Sequence, residues 1–115
     1  MNDVQRSIIF HGRWDAIHLT GAWSDTPEKV NYFNGWIRHQ IVNLSCEDCV
    51  RHSTQYIQMS PPEKADDPFI WTWEFHNAVN RRLGKPEMPY ATARDLYLGG
   101  KIRTCTKGCG GPTQH

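Results

Sequence analysis

The segment Pro68-Phe69-Ile70-Trp71-Thr72-Trp73-Glu74-Phe75-His76-Asn77-Ala78-Val79-Asn80-Arg81-Arg82-Leu83-Gly84-Lys85-Pro86 decides the fold. Phe75, Val79 and Leu83 recur at every fourth position and make one apolar row of a helix over 68–83. Trp73, His76, Asn77 and Asn80 make a second row that is largely polar. Asn is a poor residue for a helix interior, so two of them in mid-helix mark a face that presents something besides a core. Gly84 ends the helix and Pro86 follows it.

The pattern upstream is helical as well. Trp14, Ile17, Ala22 and Trp23 suit one stripe of a first helix over 13–23. Thr26 followed by Pro27 suits the cap and first turn of a second helix, which carries Val30, Phe33, Trp36, Ile37 and Ile41. Ser45 is expected to cap a third helix from about 46 to 58. Ser60-Pro61-Pro62 and the charged run 63–67 make a loop. Downstream, 91–98 suits a short fifth helix. No alternating strand pattern and no repeat occurs. The expectation is an all-α fold, a four-helix bundle with a short fifth helix, in one domain over 1–98. A flexible Gly-rich tail is expected over 99–115.

Bulk properties limit the function. Thirteen basic and twelve acidic residues leave a net charge of +1, so no strong field draws the chain to nucleic acid. The first ten residues carry no apolar signal core, and no apolar run approaches a membrane span, so a soluble protein made without export is expected. Five Trp, four Tyr and four Phe in 115 residues are enough to fill a small core and also to stack on a planar ligand.

Four cysteines form two close pairs, Cys46/Cys49 and Cys105/Cys109. In a chain without an export signal such pairs suggest a metal site or redox chemistry. Cys46-Glu47-Asp48-Cys49 at a helix N-terminus favours a thiolate, because the free N–H groups and the helix dipole stabilise negative charge. Half of a zinc site is the competing reading, and the C-x-x-C alone leaves the two nearly even. Zinc would need the distant Cys105/Cys109 pair to fold back over the bundle, and the six histidines show no ligand spacing. That alternative would make the protein a zinc-binding helical adaptor without catalysis. A thiol–disulfide carrier without flavin is a further rival.

The run His76-Asn77-Ala78-Val79-Asn80-Arg81-Arg82-Leu83-Gly84-Lys85-Pro86 closely resembles the H-N-x-V-N-x-x-L-G-K-P signature of the Erv/ALR family of sulfhydryl oxidases. Gly12-Arg13-Trp14, with His18 four residues on, resembles that family's first-helix element, and the C-x-x-C lies between the two. Short viral members are the most similar in length. The resemblance implies an FAD-dependent thiol oxidase, with the flavin inside the bundle beside Cys46 and Cys49. It implies that Trp14, His18, Trp23, Trp73, His76, Asn77, Asn80 and Lys85 surround the FAD, and that Tyr97 stands near the adenine. Arg13 or Arg82 is expected to join Lys85 in offsetting the diphosphate charge. Cys46 is expected to be the outward sulfur that meets substrate, and Cys49 the sulfur nearest the ring.

The same resemblance implies a homodimer, thiol-containing protein substrates (among them a thioredoxin-like or small C-x-x-C carrier) and dioxygen as final acceptor. Cys105 and Cys109 match an accessory shuttle disulfide, and a viral source would place the protein in host cytoplasm and in the virion. One departure stands out. Cellular relatives brace the fourth helix with a C-x16-C disulfide, whereas those positions here hold Trp73 and Tyr90. Packing of the two rings is expected to replace it.

Overall fold

The computed structural model describes residues 2–99, so Cys105 and Cys109, and all of the expected tail except Gly99, lie outside the described residues. Five α-helices and one 3-10 turn follow one another, with no strand among the described residues: α1 (Asp3–Trp23), α2 (Pro27–Val42), α3 (Glu47–Met59), the turn Pro62–Lys64, α4 (Pro68–Arg82) and α5 (Tyr90–Leu98). The all-α expectation therefore holds.

Local chemistry sets the helix ends. Thr26 accepts the Lys29 N–H at 3.2 Å and Pro27 opens α2, as expected. Asp67 accepts the Phe69 N–H at 2.8 Å ahead of Pro68, which opens α4 in the same way. At the far end of α4 the Gly84 N–H reaches the Arg81 carbonyl at 3.2 Å and the Lys85 N–H reaches the Asn80 carbonyl at 2.8 Å. That pattern requires the left-handed φ of +71° that Gly84 adopts. The first helix begins ten residues earlier than the expected 13. Asn2 and Gln5 form a reciprocal capping box, and this start projects past the core with Val4 and Ile8 exposed.

The main core is built from Ile17 of α1, Phe33, Ile37 and Ile41 of α2, Ile57 of α3, and Trp71 and Phe75 of α4. A second cluster joins Phe69 of α4 to Ala93 and Tyr97 of α5. α4 is thus buried on more sides than its Phe75 row required, and Leu83 at its end is exposed. At Gly21 α1 lies close against α4. A Cβ built there would lie 2.8 Å from Thr72 Cγ2, 3.1 Å from the Pro68 carbonyl oxygen and 3.3 Å from Phe69 Cα. Two of those three atoms are backbone and cannot swing aside.

Trp73 and Tyr90 meet edge to face, with ring centroids 5.3 Å apart at 76°. The aromatic pair therefore occupies the place of the brace, and it joins α4 to the first turn of α5.

Candidate active site

Cys46 and Cys49 stand at the start of α3, both half-buried free thiols. The cap differs from expectation. Cys46 is itself the N-cap, and its sulfur accepts the Cys49 N–H at 3.3 Å. Ser45 lies one residue too early and is exposed. Hydrogen bonds from the Cys49 thiol and then from the Cys49 backbone N–H pull the Cys46 thiol below the usual thiol range. Burial, together with the neighbouring Cys46, pushes the Cys49 thiol up, opposed by the Arg82 guanidinium. In the reduced pair the negative charge therefore rests on Cys46.

Of the two, only Cys49 lines a cleft between α1, α2 and α4 that is partly open to solvent. Its walls are mostly apolar: Trp14 and Ile17 from α1, Ile41 from α2, Phe75 and Val79 from α4. Arg13 and Arg82 supply positive charge at the same walls. A cysteine sulfur beside an apolar cleft that also carries two guanidinium groups suits an apolar ring system bearing negative charge.

Trp14 connects this cleft to a cluster of aromatic and imidazole rings. It stacks on His76 with centroids 3.8 Å apart and an angle of 6°. His76 Nδ1 lies 2.8 Å from His18 Nε2. His18 is completely buried, and the Tyr97 ring stacks on it at 4.5 Å. Tyr97 donates its hydroxyl to Asp15 at 2.8 Å. Burial, with the facing His76, lowers the His18 pKa to about 3. Burial, followed by the positive charge of Lys85, lowers that of His76 to about 4. Both imidazoles are therefore neutral at pH 7.

The other expected cofactor residues divide by what they touch. Asn77 is buried, and its amide exchanges two hydrogen bonds with the Met88 backbone, receiving the N–H at 2.7 Å and donating to the carbonyl at 2.9 Å. Trp73 donates its indole N–H to the same carbonyl at 2.7 Å. Both residues thus fasten the α4–α5 connection. Arg13 donates to the Gln40 and Asn43 carbonyls at 3.4 and 2.9 Å, capping the end of α2 while it lines the cleft. Asn80 is half-buried on α4, and Lys85 is exposed just beyond that helix. Trp23 is 48% exposed, with its ring against Tyr32 and the Lys29 ammonium rather than the histidines. Thr72 and Asp15 belong to the ring cluster but were not expected there. Thr72 lies one helical turn before His76, and that spacing was the available signal. Among the described residues no three of His, Cys, Asp or Glu come together in a metal-binding arrangement.

The fold and the site define an all-helical protein whose C-x-x-C opens one sulfur onto an apolar cleft beside a neutral histidine pair. Residues 11–97 match the Erv1 / Alr family, and the chain belongs to that family. It is 30% identical over 100 residues to the FAD-linked sulfhydryl oxidase of African swine fever virus isolate Pig/Kenya/KEN-50/1950, covering 83% of this chain and 84% of that protein. The protein of the same name from isolate Warthog/Namibia/Wart80/1980 is 32% identical over 101 residues, with coverage of 83% and 84%. No solved structure matches the chain.

Proposed function

We infer that this protein is an FAD-dependent thiol oxidase that converts two thiols and dioxygen into a disulfide and hydrogen peroxide. The observation that carries this reading is Cys49 in the wall of an apolar cleft, inside a region that matches the Erv1 / Alr family. FAD, when bound, takes two electrons from the reduced Cys46–Cys49 pair and delivers them to dioxygen.

A substrate thiolate attacks the oxidised pair at the Cys46 sulfur. The Cys46–Cys49 bond breaks, and Cys49 leaves as a thiolate next to the Arg82 guanidinium. A second substrate thiolate then attacks the substrate sulfur of the mixed disulfide. The substrate disulfide departs, and Cys46 is left as a thiolate held by the N–H of Cys49. Trp14, His18, His76 and Tyr97 shape one side of the cofactor site, and Arg13, Arg82 and Lys85 carry the charge that offsets a diphosphate. Asn80 and Trp23 remain part of this reading, with Asn77 and Trp73 acting through the α4–α5 connection.

Purified protein is expected to show the visible flavin band and to consume oxygen with dithiothreitol. Cys49→Ser keeps the band and loses turnover by more than about a hundred-fold. Unchanged turnover in that variant, or a colourless protein that releases zinc, would overturn the reading.

The physiological substrates are protein thiols, including a thioredoxin-like or small C-x-x-C carrier. Cys105 and Cys109 act as a shuttle that passes electrons from those substrates to Cys46. Changing both to Ser preserves activity on dithiothreitol and lowers activity on a protein dithiol at least about tenfold. Equal loss on both substrates would sink the shuttle. The exposed Val4, Ile8 and Leu19 of α1, together with Tyr32 of α2, support a homodimer through these helices. Both relatives are viral, which supports a viral source and disulfide formation in host cytoplasm and virion. No helix among the described residues is long and apolar enough to cross a membrane.

A further inference from the structure

Hydrogen bonds in the ring cluster run in one direction only. Thr72 is completely buried and its hydroxyl lies 2.6 Å from the Phe69 carbonyl oxygen. A carbonyl only accepts, so the single hydroxyl proton of Thr72 points there. Thr72 Oγ1 is also 3.0 Å from His18 Nδ1, and it is left to accept. His18 therefore carries its proton on Nδ1. A neutral imidazole has one N–H, so His18 Nε2 is bare and accepts from His76 Nδ1, 2.8 Å away. His76 in turn keeps its proton on Nδ1, and its Nε2 is a lone pair with no hydrogen-bond partner among the described residues. The parallel stack on Trp14 fixes the plane in which that lone pair lies.

We propose that Thr72 is a positioning residue that sets the tautomers of His18 and His76, so that His76 Nε2 meets the cofactor as an acceptor and selects an N–H or O–H donor there. This rests on the FAD reading for the identity of the ligand. It excludes a phosphate oxygen as the partner of His76, since two acceptors repel. The diphosphate is left to Arg13, Arg82 and Lys85. The neutrality on which the relay depends follows from the burial of both rings and from Lys85 near His76. The acidic group near His76 is Asp15, which already accepts from Tyr97.

Removal of the Thr72 hydroxyl reverses the relay. Without an acceptor at Nδ1, His18 moves its proton to Nε2 and donates to His76 Nδ1. His76 then carries its proton on Nε2 and presents a donor. The test is a long-range proton–nitrogen correlation spectrum of ¹⁵N-histidine holoprotein, together with FAD titration of each variant. The parent and Thr72→Ser are expected to show both histidines in the Nδ1–H form, with FAD affinities within about twofold of each other. Thr72→Val is expected to show both in the Nε2–H form and to bind FAD about tenfold more weakly. An Nε2–H form of either ring in the parent would overturn the proposal even if Thr72→Val failed to fold. So would unchanged tautomers in Thr72→Val. Reversed tautomers with unchanged FAD affinity would overturn the role given to His76 toward its ligand. A parent protein that bound no FAD would instead end the cofactor reading, and its spectrum would still decide the tautomers.

Discussion

Acidification from pH 7 to about 4 is expected to destabilise this domain well before its carboxylates are protonated. Folding lowers the His18 pKa to about 3 and that of His76 to about 4, from an ordinary value of 6.5. The unfolded chain therefore binds more protons than the native one below pH 6.5, and stability falls as pH falls. Each histidine contributes a slope of about 1.4 kcal/mol per pH unit within its window, which closes near pH 4 for His76 and near pH 3 for His18. The carboxylates with lowered pKa values, Asp25, Glu63 and Glu87, start from 3.8 to 4.5 and lie in exposed ion pairs. Their contribution is small and comes at lower pH. Thermal midpoints measured at half-unit steps should be level above pH 7 and fall steadily between 6.5 and 4.5. A level midpoint from pH 7 to 5 would show that the histidines are not held neutral by burial.

Gly21→Ala carries the second large effect. In most helices this exchange stabilises by up to about 1 kcal/mol, since Ala is the better helix former. Here the new methyl meets Thr72 Cγ2 at 2.8 Å and is closed in by the backbone of Pro68 and Phe69. α1 must then move away from α4, which costs about 1–3 kcal/mol. With the propensity gain set against it, the net cost of up to about 2 kcal/mol lowers the melting temperature by up to roughly 15 °C, since 1 kcal/mol shifts a domain of this size by about 4–8 °C. Pressure on Thr72 also disturbs His18, so FAD affinity falls along with stability. A more stable Gly21→Ala protein would mean that the two helices have room to separate at no cost.

Much of the fold was legible because its signals are local. Thr26 with Pro27 and Gly84 before Pro86 behave as their side chains and φ preferences require. The start of the third helix misled because Ser is the commoner cap, yet Cys46 has a sulfur within reach of the Cys49 N–H. Asn77 was conspicuous as a poor helix former, but its partner is the Met88 backbone, eleven residues on, and no spacing rule reveals that. His18 and His76 could be placed near one ligand by resemblance to a family. Their direct hydrogen bond joins positions 58 residues apart and needs the α1–α4 packing that Gly21 allows. Trp23 ends α1 at the surface, because the helix turns that flank past the core and onto Tyr32.

The edge-to-face pair of Trp73 and Tyr90 holds α5 in place beside chemistry that consumes thiols. A disulfide at those two positions would itself be open to attack by the dithiols that the enzyme oxidises. Each opening would loosen the segment that carries Tyr97 and Met88. Two edge-to-face rings and an indole hydrogen bond contain no bond that a thiolate can cleave. The fastening of α5 is therefore blind to redox potential, and α5 keeps its place on α4 in strongly reducing surroundings.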